Sequence, residues 1–233
     1  MDFEVNGYNI FIIVMVCFLS SLIFVQIMKK VAIFLKVLDV PNDPRKIHNK
    51  PMPLLGGLGI FFAFLLGYML FAPKNNLMIA ILISSFLIML LGLFDDMTKS
   101  ETPMPNKYKV LVQLIVAAIV VFYGGLELTK VTLFGMTITF TNIPFLSEIL
   151  SILIIVATIN AINLIDGLDG LCAGISSIYF LTIAIIGFIL NKFGGLDVIL
   201  SLIMLGSTLG YLVHNFPPAR IYQGDAGSTF LGF

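Results

Sequence analysis

The sequence predicts an all-α integral membrane protein: a polytopic bundle of seven complete transmembrane helices plus a truncated eighth, with the N-terminus outside. The first observation is composition, because 59% of the residues are hydrophobic and only 11% are charged, against about 25% charged in soluble domains. The second is that apolar runs of similar length recur along the chain. The third is an uneven distribution of basic residues between alternate loops. We therefore expect a lipid bilayer as the surroundings, and no nucleic acid as a partner.

Each of the seven apolar runs approaches the about 20 residues that a helix needs to cross about 30 Å of hydrocarbon. Because lipid offers no hydrogen-bond partners, each run should satisfy its own backbone groups as a helix. An eighth run begins at AGSTFLGF, which would reach only about 12 Å as a helix, so the chain is expected to end inside a span. The complete helices are predicted over residues 9–28, 55–72, 77–94, 108–124, 146–165, 171–190 and 198–214.

The basic residues orient the bundle. If the N-terminus is outside, ten of the thirteen lysine and arginine residues fall in inside loops, as the positive-inside rule requires. The three that fall outside are Lys74, Lys130 and Lys192. The acidic motifs described next then lie on the cytoplasmic side.

The outer loops are short except for residues 125–145, which alternate apolar and polar residues around Gly135 and predict a small hairpin. Cys17 and Cys172 lie in apolar runs and indicate neither a disulfide nor a zinc site. No soluble domain is appended, so residues 1–233 are predicted to be a single polytopic membrane domain.

Five aspartates stand at helix ends on the predicted cytoplasmic side. Carboxylates near a membrane are costly and usually face a bundle interior or a water-filled cavity, so they mark a functional site. The alternative is that each caps a helix or a turn, and that alternative stays open above all for Asp169 and Asp225. Capping explains an adjacent pair less well, because one cap requires one carboxylate. The five are Asp95, Asp96, Asp166, Asp169 and Asp225.

Paired carboxylates in one cleft suit a hard divalent cation, and Mg²⁺ is commonly held by one or two carboxylates together with substrate phosphates. Gly167, Gly170, Gly224 and Gly227 flank the acids, where glycine permits a close approach of backbone to a ligand. Helix N-termini beside such glycines can receive phosphate oxygens. We therefore expect a phosphate-containing ligand here.

The first inside loop, VPNDPRKIHNKPMPLLGG, places Arg45, Lys46 and His48 between prolines. One interpretation is a solvated loop that also touches anionic lipid. The prolines favour a loop of fixed shape, and a fixed basic loop beside a bound metal suits a diphosphate.

Four motifs in order, DVPNDPRKIHNKPMPLLGG, GLFDDM, NAINLIDGLDGL and GDAGSTFLG, resemble those of the polyprenyl-phosphate N-acetylhexosamine-1-phosphate transferases. That family includes the phospho-N-acetylmuramoyl-pentapeptide transferases. The resemblance implies a multi-pass enzyme of the bacterial inner membrane with its active site on the cytoplasmic face. It would transfer a sugar-1-phosphate from a UDP-N-acetylhexosamine to undecaprenyl phosphate and release UMP, with Mg²⁺, or Mn²⁺ in its place, as cofactor. A homodimer is a further expectation.

The resemblance also implies roles for individual residues. Asp95 and Asp96 correspond to the acidic pair at the reaction centre, Asp166 to a further catalytic residue, and Asp225, with Asp96 beside it, to the metal ligands. The residues assigned to substrate binding are Asn163, Gly167, Asp169, Lys109, Arg45, Lys46 and His48. The stretch between the acidic pair and Lys109 is slightly longer than in the family. Further helices and a histidine-rich loop would follow Phe233, and the chain is expected to lack them.

The version of the first loop favours N-acetylglucosamine-1-phosphate over the muramoyl-pentapeptide as the group transferred, with the pentapeptide transferase as the alternative. Direct attack by the lipid phosphate on the UDP-sugar is favoured, and a covalent aspartyl-phosphate route stays open. The competing classes are an inactive remnant that binds without turnover, a transporter, and a CDP-alcohol phosphotransferase. The acids cluster at one face and no inverted repeat is evident, which argues against a transporter.

Overall fold

The computed structural model describes residues 4–5, 7–41, 50–98, 104–190 and 195–233. Every predicted apolar run corresponds to a helix there, and α4 continues into a five-residue π-helical turn, Ile119–Tyr123. The helices are α1 (Ile10–Phe34), α2 (Gly56–Phe71), α3 (Asn76–Thr98), α4 (Asn106–Ala118), α5 (Leu146–Ile165), α6 (Leu171–Ile189), α7 (Leu196–Asn215) and α8 (Gly224–Gly232).

Within the described ranges, six helices are long and apolar enough to cross a membrane, namely α1, α3, α4 with its π turn, α5, α6 and α7. The prediction of a polytopic all-α membrane protein is confirmed. Helix α2 has 16 residues and reaches about 24 Å at 1.5 Å per residue, less than the hydrocarbon thickness of about 30 Å. Seven complete spans and an outside N-terminus stay predictions.

The described residues also contain three short antiparallel strand pairs, of which the first precedes α1 and the others connect helices: β1 (Glu4–Val5) with β2 (Tyr8–Asn9), β3 (Leu38–Asp39) with β4 (Met52–Pro53), and β5 (Lys130–Leu133) with β6 (Met136–Thr139). The last pair is the hairpin predicted around Gly135. Phe134 and Gly135 form its turn with φ of 50° and 82°, the two positive φ angles of a tight hairpin turn of type I′.

Helix α7 is the centre of the bundle, with 67% of its span buried between α1, α2 and α6. Gly206 and Gly210 allow this packing, because a Cβ at either position would lie 2.4 Å or 2.5 Å from a carbonyl oxygen of α1. In lipid such close backbone contacts replace the hydrophobic drive that packs helices in water. Cys17 and Cys172 are buried and unbridged, as predicted.

Helix α8 is short and buried at every residue except Asp225. Backbone bonds tie the segment before it to the start of α2, from Gly56 N–H to Tyr222 O at 2.9 Å and from Gly57 N–H to Gln223 O at 3.0 Å. On its other side, a Cβ on Gly92 of α3 would lie 2.3 Å from Cα of Ala226. Glycines on two helices therefore let α8 penetrate the bundle, and its N-terminus has a defined position.

Candidate active site

A cavity of about 280 Å³ lies where α3 and α5 end and α4 and α8 begin. Polar side chains from all four helices form one part of its wall, and apolar side chains form the other. The lining residues are Leu91, Gly92, Asp95, Asn106, Lys109, Val110, Gln113, Asn160, Asn163, Leu164, Asp225 and Thr229.

Lys109 is the charged centre of the cavity. Its Nζ lies 2.5 Å from Oδ2 of Asp95, in the last turn of α3, and 3.0 Å from Oδ2 of Asp225, in the first turn of α8. The Asp95 side chain is 2% exposed and that of Asp225 is 22% exposed. Two carboxylates this close repel one another in a poorly solvated site, and the shared ammonium offsets that repulsion. The structure thus brings together three residues predicted for the site.

Asp96 has different neighbours from Asp95. Its two carboxylate oxygens accept the backbone N–H groups of Asp225 at 2.8 Å and Ala226 at 3.0 Å. These donors belong to the first turn of α8, which has no intrahelical acceptors for them, and a negative charge there is favoured by the helix dipole. Asp96 therefore caps α8 from α3 and positions Asp225. Its assignment as a catalytic group and metal ligand stays a prediction.

The conformation of Gly224 accommodates this cap. Its φ is +70°, and a Cβ on it would lie 2.2 Å from Oδ2 of Asp96. A positive φ is strained for residues that carry a Cβ, and here the Cβ would also displace the carboxylate. The glycine before Asp225 is thus explained by the approach of Asp96.

Two amide side chains of α5 extend the polar wall. Asn163 donates from Nδ2 to Oγ of Ser228 in α8 at 2.7 Å. One turn earlier, Asn160 donates from Nδ2 to Oε1 of Gln113 in α4 at 2.6 Å. The predicted residue Asn163 is therefore in the site and bonded to the helix that carries Asp225.

The sequence analysis missed Gln113, Asn160, Ser228 and Thr229. Helical spacing could have identified them, since Gln113 is four residues after Lys109 and Thr229 four after Asp225. Residues three or four apart share a helix face, so polar residues at that distance from a candidate belong on the same wall.

The turn that carries Asp166, Gly167 and Asp169 lies beside the cavity rather than in its wall. Asp166 is the C-cap of α5. Oδ2 of Asp169 accepts the Ala219 N–H at 2.8 Å, which ties the turn to the segment between α7 and α8. Among the described residues the acids thus form two neighbouring groups rather than one cleft wall. The Asp169 bond reaches a distant segment, and the N-cap residue of α6 is Gly170, so the capping interpretation of Asp169 stays a hypothesis. The roles assigned to Asp166, Gly167 and Asp169 stay predictions.

Tyr222 lies close enough to this turn for the carboxylates to affect the pKa of its phenol. Burial, followed by the nearby carboxylates of Asp169 and Asp39, raises the pKa of the Tyr222 phenol to about 12. The phenol is therefore protonated at neutral pH, and its hydroxyl is hydrogen-bonded to the Asp169 carboxylate.

The carboxylate oxygens that line the cavity suit a hard cation that takes only a few of its ligands from the protein. Asp95 and Asp225 direct one oxygen each to a single point, now at the Lys109 ammonium, and both atoms are the carboxylate oxygens that Mg²⁺ prefers. Among the described residues no group of three or more acidic, histidine or cysteine side chains converges. A bound Mg²⁺ would accordingly require further oxygens from substrate phosphates or water.

Arg45, Lys46 and His48, predicted to bind substrate, lie outside the described residues. Their assignment stays a prediction based on the composition of the first loop and on the motif that contains them.

Comparison with known proteins shows which family has this sequence. The sequence pattern of the family described as Glycosyl transferase family 4 matches residues 78–233, which include Asp95, Lys109, Asn163 and Asp225. A probable undecaprenyl-phosphate N-acetylglucosaminyl 1-phosphate transferase of Bacillus subtilis (strain 168) is 39% identical over 228 residues, covering 94% of this chain and 59% of that protein.

Two further relatives extend the comparison. An undecaprenyl-phosphate alpha-N-acetylglucosaminyl 1-phosphate transferase of Haemophilus influenzae is 31% identical over 94% of this chain and 61% of its own length. A phospho-N-acetylmuramoyl-pentapeptide-transferase of Bacillus anthracis is 28% identical over 83% of this chain and 63% of its own length. The chain thus spans about six tenths of the length of these relatives. The resemblance carried by the four motifs is confirmed, and the chain belongs to glycosyl transferase family 4.

Proposed function

We propose that this protein transfers N-acetylglucosamine-1-phosphate from UDP-N-acetylglucosamine to undecaprenyl phosphate and releases UMP, as the first membrane step of cell-wall or surface polysaccharide synthesis. The observation that carries the proposal is the Asp95–Lys109–Asp225 group in a cavity at one end of a membrane bundle. The excess of basic residues in the loops at that end supports a cytoplasmic active site.

In the proposed reaction, an oxygen of the lipid phosphate attacks the β-phosphorus of the UDP-sugar. A new P–O bond forms there, and the bond from that phosphorus to the bridging oxygen breaks, so that UMP leaves with the electron pair. Such phosphoryl transfers depend mainly on positioning and on neutralising charge. A site at one end of a membrane-spanning bundle lies near the bilayer surface, where a lipid phosphate can meet a soluble nucleotide sugar.

The residues of the cavity supply those functions. Lys109 places a cation where the diphosphate charge would lie, and Asp95 is positioned to orient the lipid phosphate or accept its proton. Asn163 offers an amide donor beside Asp225. Asp225, with Asp95, would hold Mg²⁺, which supplies charge neutralisation of the diphosphate when bound. Asp96 maintains the position of Asp225.

The identity of the donor sugar has a direct test. The relatives named for N-acetylglucosaminyl transfer are 39% and 31% identical to this chain, whereas the pentapeptide transferase is 28% identical. We expect purified protein in vesicles containing undecaprenyl phosphate to release UMP with UDP-N-acetylglucosamine and not with UDP-N-acetylmuramoyl-pentapeptide. Release with the pentapeptide donor alone would identify the other branch. Binding of UDP-N-acetylglucosamine without UMP release would indicate the inactive remnant.

The same preparation distinguishes the direct route from the covalent one. Incubation with labelled UDP-N-acetylglucosamine in the absence of lipid phosphate should leave no label on the protein. A phosphorylated aspartate trapped under those conditions would overturn direct attack.

The variant Asp166→Asn tests the turn beside the cavity. We expect it to insert normally but to lose most sugar-phosphate transfer, with a larger rise in KM for the UDP-sugar than fall in kcat, because Asp166 lies beside the cavity wall. The control is Asp197→Asn, an exposed acid in the first turn of α7. Full activity of Asp166→Asn would show that Asp166 acts only as a helix cap and takes no part in the reaction.

A further inference from the structure

The β5–β6 ribbon has two chemically different faces. Cross-strand partners in an antiparallel pair share a face. The partners Lys130 with Thr139 and Thr132 with Thr137 make one face polar, and the two hydroxyl groups of the second pair lie 3.0 Å apart. The other face carries the pair Val131 and Ile138, followed by Met136.

The apolar face is not covered by the described part of the chain. Met136 is 71% exposed and Ile138 is 57% exposed. An isolated two-stranded hairpin is at best marginally stable in water, and exposing its apolar side chains to water would weaken it further. The ribbon therefore requires an apolar environment on one face and a polar environment on the other.

The ribbon lies between the end of one membrane-spanning helix, α4 with its π turn, and the start of the next, α5. It follows the π turn that ends at Tyr123 and precedes α5, at the end of the bundle opposite the cavity. Its base is tied to the first turns of α5, where Leu128 N–H donates to Ser151 Oγ at 2.7 Å and Ser147 Oγ donates to Leu128 O at 2.8 Å. These bonds keep the ribbon beside its own spans.

The exposed apolar surface of the adjoining spans continues toward the ribbon. Phe122 in the π turn after α4 and Ile149 at the start of α5 are 64% and 52% exposed, on two helices long and apolar enough to cross a bilayer. Between those helices and the ribbon, Leu126 and Phe145 are 46% and 67% exposed. Exposed apolar and aromatic residues therefore lie both on the spans and on the segments that join them to the ribbon, as expected where aromatic side chains anchor proteins at a membrane interface.

We propose that the β5–β6 ribbon is a membrane-interface anchor: Val131, Met136 and Ile138 lie among lipid acyl chains just below the head groups, and the threonine face is turned to water. The arrangement is the two-stranded counterpart of an amphipathic helix lying in the interface. It would hold the connection between α4 and α5 at the end opposite the cavity, and it does not depend on the reaction catalysed there.

The test uses the absence of tryptophan from the sequence, so that one introduced tryptophan reports its own surroundings. Met136→Trp and Ile138→Trp probe the apolar face, and Thr137→Trp and Thr139→Trp are matched controls on the polar face of the same strand. Each full-length variant is placed in phospholipid vesicles. Its emission is then quenched from the membrane by lipids brominated at shallow acyl positions and from water by iodide.

We expect an alternating result along β6. Tryptophan at positions 136 and 138 should lose most of its emission to brominated lipid and be blue-shifted, whereas at positions 137 and 139 it should be quenched by iodide instead. Iodide quenching at all four positions would overturn the proposal, as would equal quenching by brominated lipid at all four. Protection at 136 and 138 from both quenchers, lost when the protein is diluted into excess lipid, would assign the face to a second copy of the chain and also overturn it.

Discussion

Lys109→Met should reduce sugar-phosphate transfer by about 10²–10³-fold in kcat, the cost typical of removing one electrostatic group aimed at developing charge. Lys109 joins the Asp95 and Asp225 carboxylates at 2.5 Å and 3.0 Å, and methionine keeps the length of the side chain without its charge. The measurement is UMP release in vesicles at saturating UDP-N-acetylglucosamine. Lys109→Arg should restore part of the activity, because it restores the charge with a different geometry.

Two controls separate catalysis from folding in this prediction. Lys107→Met, an exposed lysine whose ammonium lies over the Tyr108 ring, should retain activity. The double variant Asp95→Asn/Lys109→Met removes the buried carboxylate that the single variant leaves unpaired. Because Asp95→Asn is itself expected to inactivate the protein, the double variant is compared by its thermal midpoint. If the midpoint falls in Lys109→Met and recovers in the double variant, and if the transfer lost in Lys109→Met matches the loss of folded protein, the catalytic assignment of Lys109 is wrong.

Asp96→Asn should destabilise the protein, whereas Asp95→Asn should inactivate it with less effect on stability. An asparagine at position 96 can accept one of the two α8 N–H groups through its carbonyl, but its NH₂ group would face the other donor. Loss of a helix cap costs about 0.5–2 kcal/mol, and hydrogen bonds to charged groups contribute about 1.5–3 kcal/mol each. The measurement is the thermal midpoint in mild detergent, with transfer activity measured in parallel.

The two variants form a matched pair because they change adjacent aspartates to the same residue. Where Asp96→Asn loses activity, it should also need a higher Mg²⁺ concentration for half-maximal transfer, because Asp225 would be displaced with the start of α8. If Asp96→Asn instead melts like the unmodified protein and has no activity, Asp96 acts directly in the reaction and the capping role is secondary.

Local patterns in the sequence predicted a large part of this protein. Hydropathy predicted the positions of the membrane helices because each run satisfies its own backbone hydrogen bonds, whatever packs against it. Alternation around Gly135 predicted the β5–β6 hairpin for a similar reason, since its pairing involves residues close in the chain. The position of Asp95, Asn163 and Asp225 at helix termini predicted that they would meet at one end of the bundle.

The different contacts of the adjacent residues Asp95 and Asp96 could be decided only by the tertiary structure. Successive residues on an α-helix point about 100° apart, so Asp95 faces the cavity and Lys109 while Asp96 faces the N-terminus of α8. Adjacent carboxylates at one helix end are compatible with a common cleft, and the motifs accordingly predicted Asp95 and Asp96 together at the reaction centre, with Asp96 as a metal ligand beside Asp225. Gln113 and Asn160 did not require the tertiary structure, since helical spacing from Lys109 and Asn163 identifies them.

The sequence by itself therefore determined the membrane fold, the family motifs and the end of the bundle where chemistry is expected, because these depend on hydrophobicity and local order along the chain. The tertiary structure decided which carboxylates converge, that Asp166 and Asp169 occupy a neighbouring turn, and that a lysine lies between Asp95 and Asp225. Lys109 is 14 residues from Asp95 and 116 from Asp225. The contact between Lys109 and Asp225 depends on how the glycines of α2 and α3 allow α8 to pack closely, a packing relation that no local pattern encodes.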